Sequence, residues 1–140
     1  MENKKQLIQQ AMAAYQSAER ITEKTFPTLQ EPKLLMQATE KIYESLVLGM
    51  QATLTECPNT IEEQLKIFEK NNPITITLLI KDLKNRIDQQ KKSMIEFTRK
   101  GKFIAASDHF SRIQIIDLVQ VKGWLMQTRP FLEQIRSTHV

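Results

Sequence analysis

Asp108, His109 and Arg112 stand together in the stretch SDHFSR, and on a helix His109 and Arg112 would share a face. A protonated imidazole beside a guanidinium steadies negative charge developing on a phosphodiester, and the imidazole can also carry a proton. A ribonuclease-like centre on His109 and Arg112 is therefore one chemical reading. The plainer reading of the same residues is the start of a helix, with Ser107 as cap and Asp108 in the first turn. The sequence favours the plainer one. His139 is the other histidine and lies beside the last residue, Val140.

Other chemistry lacks its raw material. Cys57 is the one cysteine, so neither an intrachain disulfide nor a thiolate cage can form within the chain. Two histidines and no Glu-x-x-His pair leave metal binding without ligands. Glu19 with Glu23, and Glu40 with Glu44, have helical spacing but read as solvated faces, with basic residues nearby. Gly49, Gly101 and Gly123 are too scattered to cradle a phosphate. No cofactor and no metal are expected.

The strongest signal is charge. The chain carries a net +4, yet the segment from Lys81 to Lys102 alone holds eight basic residues against Asp82, Asp88 and Glu96. The remainder is close to neutral. Lys81, Lys84, Lys91 and Lys92 would follow one helix face, with Arg99, Lys100 and Lys102 in a loop beyond it. Such a strip attracts phosphates or acidic proteins. Phe97 and Phe103 could stack on bases where exposed, or anchor the loop to the core.

Helices must position these groups. Asn3 can cap a first helix over 3–25, whose Leu7, Ala11, Ala14, Ala18 and Ile21 step at heptad spacing. Pro27 should stop it, since a residue before proline resists the α conformation. A second helix from about Glu31, with Pro32 in its first turn, runs to near Glu56 and is apolar on more than one side. TIEE at 60–63 is a capping box opening a short helix. In ITITLLI the β-branched alternation favours a strand locally. Ile76, Ile80, Leu83 and Ile87 nevertheless step at helical spacing, so a helix is expected over about 75–92. Residues 93–106 look irregular, with a turn at Gly101. A last helix is expected from Ser107, with Ile113, Ile115 and Ile116 on its apolar side and Pro130 kinking or dividing it.

The expected fold is all-α: one domain over 1–140, a bundle of four or five helices arranged up and down. A bundle completed by a second copy is the alternative. Met36, Val47, Met50, Trp124 and Met126 would then supply an adaptable dimer surface. The apolar runs SLVLGM and ITITLLI are too short to span a bilayer, and the opening MENKKQLIQQAMAAY lacks a signal-peptide core. With so little cysteine, a cytoplasmic location is expected, away from membranes.

The run TFPTLQEPKLLMQATEKIYESLVLGMQATL, with the later SMIEFTRKGKFIAASDHF, resembles a group of small uncharacterised archaeal helical proteins. They share a Tyr-Pro or Phe-Pro turn, a PKLL helix start and an EF-x-RK-x-x-F segment. The resemblance covers most of the chain and brings no activity with it. More distantly, the layout resembles HEPN domains, four- or five-helix bundles that often dimerise and many of which bind nucleotides or cleave RNA. Their catalytic arginine, followed by four to six residues and a histidine, is absent here. Arg136 is too close to His139, Arg99 is too far from His109, and Arg112 follows His109. The resemblance therefore implies a non-catalytic module.

The leading expectation is a non-enzymatic binding module that contacts RNA or an acidic protein through Lys81, Lys84, Lys91, Lys92, Arg99, Lys100 and Lys102. A homodimeric adaptor is the alternative, and a weak ribonuclease on His109 and Arg112 is third.

Overall fold

Asn3 opens the first helix as its sequence demands: its side-chain oxygen accepts from the Lys5 backbone N–H at 3.0 Å. The structure, a computed structural model, describes residues 3–93, 95–107 and 112–138. Helix α1 (Lys4–Arg20) buries Leu7, Ala11, Ala14 and Ala18 along α3 (Lys33–Thr53). The alanines on that stripe let the two helices approach closely.

The helix does not stop before Pro27. It widens into a π turn over Ile21–Thr25 and continues as α2 (Phe26–Leu29). The Phe26 N–H reaches back to the Ile21 carbonyl, one residue beyond the α-helical partner. That offset changes the carbonyl register around Pro27, and Phe26 keeps an α conformation despite preceding a proline. The true stop is Gln30, in the left-handed region at φ 52°.

Thr60 caps α4 (Ile61–Phe68) by accepting from the Glu63 N–H at 3.2 Å, as the capping box implied. The ITITLLI stretch is helical, within α5 (Ile74–Lys92). Its Ile76, Ile80, Leu83 and Ile87 are buried, so tertiary packing overrides the local β preference. The last helix, α6 (Leu118–Thr138), runs through Pro130. Gly49 of α3 faces it so closely that an added Cβ would sit 3.0 Å from Leu132 Cδ2. Leu35, Ile42 and Leu46 of α3, with Phe68, Ile80 and Leu83, form the centre of the core. The Phe68 ring meets Phe131 edge-on at 5.6 Å.

The chain is mostly helical, but the all-α expectation needs correction. Residues 93–106 are not an irregular loop, and the last helix does not begin at Ser107. Three antiparallel strands lie between α5 and α6: β1 (Ile95–Arg99), β2 (Lys102–Ala106) and β3 (Ile113–Ile116), in the order β1-β2-β3. Lys100 and Gly101, at φ 51° and 75°, make the two-residue turn between β1 and β2. Positive φ at both positions is the type I′ geometry whose twist matches paired strands. Asp117, not Ser107, starts α6: it accepts from the Gln120 N–H at 2.9 Å, and its own N–H donates to Gln120 Oε1 at 3.0 Å.

Candidate functional site

The seven expected cations do not form one strip. Lys81 lies 4.0 Å from Glu69, and Lys84 lies 3.0 Å from Asp88 and 3.6 Å from Glu62. Both are turned toward the acidic side of α4 and are neutralised there. The hydrogen bond to Asp88, followed by the field of Asp88 and Glu62, outweighs desolvation and raises the Lys84 pKa above its ordinary value. Arg86 is also occupied: it pairs with Asp82 at 3.2 Å and lies over the Trp124 ring at 5.2 Å, joining α5 to α6. Lys91, Lys92, Arg99, Lys100 and Lys102 are exposed and have no ion-pair partner among the described residues.

These remaining cations stand at the two ends of the sheet. Strand register sets the rest. Arg99 opposes Lys102, Phe97 opposes Ile104, and Ile95 opposes Ala106 across β1 and β2. Ile104 opposes Ile115, and Ala106 opposes Ile113, across β2 and β3. Successive side chains alternate between faces. One face therefore presents Phe103, Ala105 and Ile116 to the helices, and those three join the core. The other face presents Ile95, Phe97, Ile104, Ala106, Ile113 and Ile115, with Arg99 and Lys102 at its turn end. Phe97 is 38% exposed, Ile115 44% and Ile113 54%. Ile104 and Ala106 of the central strand are buried, so the apolar surface open to water runs along the two outer strands, at Ile95 and Phe97 and at Ile113 and Ile115.

Strand β1 overhangs the helical body. All five of its residues are exposed, and its substantial contacts are with β2. Gln90 holds its inner side by donating to Glu96 Oε1 at 2.6 Å. At the opposite edge, β3 is anchored: Gln114 Nε2 donates to the Arg86 carbonyl of α5 at 2.7 Å.

Where the sheet meets the end of α5, Gln89, Lys92, Ser93, Ala105, Ser107, Arg112 and Gln114 line a polar cleft of about 270 Å³. Arg112 is brought there, its backbone N–H donating to Ser107 Oγ at 2.8 Å. Lys92 and Arg112 give this end of the sheet a positive potential matching that of the turn end. Asp108, His109 and Phe110 lie outside the described residues, as does His139.

The expected dimer surface is corrected as well. Met36, Met50 and Trp124 are buried in the core, Val47 is half-buried, and only Met126 is exposed, at 75%. The second helix is apolar on more than one side because α1, α5 and α6 pack against it. The signals missed were the alternations in IEFTR and IQII; the turn at Gly101 was expected.

Among the described residues, no helix is long and apolar enough to cross a membrane, and no cluster of histidine, cysteine and carboxylate could hold a metal ion. No protein-family model, curated protein or solved structure matches the chain.

Proposed function

We propose that this chain is a non-enzymatic binding module of the cytoplasm, a helical bundle whose small sheet docks an acidic, apolar-faced segment of a partner protein. The observation that carries the reading is the outer sheet face: Ile95, Phe97, Ile113 and Ile115 exposed, with Arg99 and Lys102, which have no ion-pair partner among the described residues, at its turn end. Apolar surface of this kind is removed from water by a partner of similar character, at about 25 cal/mol per Å². The cations select negative charge and speed the encounter.

RNA fits this face less well. Stacking needs π surfaces, and Phe97 is the one aromatic among six apolar residues that are otherwise aliphatic. Lys81 and Lys84, which would extend a phosphate track along α5, already have carboxylate partners.

Fluorescence anisotropy decides between the two. One probe is a labelled peptide alternating glutamate and valine; the other is a labelled oligouridine, both titrated with the whole chain at low salt. The peptide is expected to bind, to weaken as salt rises, and to lose affinity on Phe97→Asp. Binding of oligouridine without binding of the peptide would replace this reading with nucleic-acid recognition.

A further inference from the structure

We infer that the partner segment docks as an added strand, pairing antiparallel with the open edge of β1. This rests on the reading of the outer face given above and names how that face is used.

The two-residue turn fixes which backbone groups are free. Arg99 and Lys102 close it, so they form a hydrogen-bonded pair, and bonded pairs alternate along an antiparallel ladder. Arg99, Phe97 and Ile95 therefore spend their N–H and C=O groups on β2. Those of Glu96 and Thr98 point the other way. No backbone hydrogen bond leaves β1 on that side among the described residues. Unpaired edge groups are a template for another strand.

Area points the same way. A sheet of two five-residue strands and one of four offers a face of roughly 200–250 Å². A stable contact between globular proteins needs about 800 Å² on each side. Apolar contact with the face alone is too small, whereas a strand laid along β1 adds a ladder of main-chain hydrogen bonds to it. Alternate side chains of that strand would continue the outer face beside Ile95 and Phe97.

Charge selects the occupant. If a second copy of the chain paired β1 with β1, with Phe97 opposite Phe97, each turn end would lie beside the other copy's open end. Arg99 and Lys100 would then approach Lys92, which closely precedes β1, positive against positive. An acidic segment with apolar residues at alternate positions carries the opposite charge to these cations instead. The Glu96 carboxylate on the inner face accepts a hydrogen bond from Gln90.

The test uses the whole chain and two N-methylated forms of the alternating glutamate–valine peptide, methylated at odd or at even positions. N-methylation removes donors without altering side chains or net charge. In an added strand only one set of donors faces β1. One form is expected to lose affinity by about tenfold or more, and the other to lose much less. Amide exchange at Glu96 and Thr98 should slow when the unmodified peptide binds, with that at Phe97 and Arg99 little changed. If the peptide binds but both methylated forms bind as well as it does, and Glu96 and Thr98 exchange as before, strand addition is overturned while the docking face stands. If the unmodified peptide does not bind, the reading of the face is lost and this inference with it.

Discussion

Phe97 and Ile104 face each other across β1 and β2 on the side of the sheet turned away from the helices. Ile104, in the central strand, is only 7% exposed. It sits between Phe97 and Ile115, both open to water. The sheet thus carries apolar side chains on both of its faces.

The two faces should respond differently to substitution. Phe103 is 2% exposed and packed among the helices. Phe103→Ala is expected to lower unfolding free energy by about 3–5 kcal/mol. Ile115→Thr on the outer face should change it by about 0.5 kcal/mol or less. Urea unfolding of both variants measures the difference; equal losses would mean that the outer face is covered.

Lys84 gives a prediction with a defined pH window. Its pKa is raised above the ordinary 10.5, chiefly by the hydrogen bond to Asp88. A group whose pKa is higher in the folded state adds stability that is fully present below the unfolded value and is lost as pH rises through the folded value. Lys84→Met should therefore lower stability at neutral pH, by about 1 kcal/mol or less for so exposed a pair. The gap between variant and wild type should narrow above pH 10.5. Peptide binding should be unaffected, since Lys84 faces α4. Chemical denaturation at several pH values, with a binding titration at pH 7, checks both.

The β1–β2 turn is under strain that can be relieved. Lys100 holds a positive φ of 51°, which L-residues other than asparagine and aspartate seldom adopt. Lys100→Asn creates the favoured Asn-Gly turn and should raise stability by up to about 1 kcal/mol. Gly101→Ala, at φ 75°, should lower it by a similar amount for the same steric reason. Thermal unfolding of the two variants should move in opposite directions.

The helices were legible because each carries its own signals: Asn3 and Thr60 cap, and Ile76, Ile80, Leu83 and Ile87 mark a buried stripe. The sheet was not, for two physical reasons. Strand β1 alternates over only four residues, Ile95 to Thr98, and is exposed on both faces, so its pattern is short and not reinforced by burial. In β3, Ile113 and Ile116 are three residues apart, which suits a helix repeat, although Ile113 and Ile115 face water while Ile116 is buried. The Asp117–Gln120 capping box, which marks the true helix start, was present in the sequence.

Part of the candidate site was legible too. Arg99, Lys100 and Lys102 stand where a charged surface was expected. Lys81 and Lys84 do not, because Glu62 and Glu69 reach them from α4. Spacing along a chain does not reveal a pairing between two helices.

The isoleucine methyl spectrum of the whole chain, recorded as the alternating glutamate–valine peptide is added, tests the central claim most directly. Ile95, Ile104, Ile113 and Ile115 should shift together, while the fully buried Ile42 and Ile80 stay in place. Saturating peptide that leaves those four signals unmoved, or that shifts methyls along α4 and α5 in their stead, would contradict it.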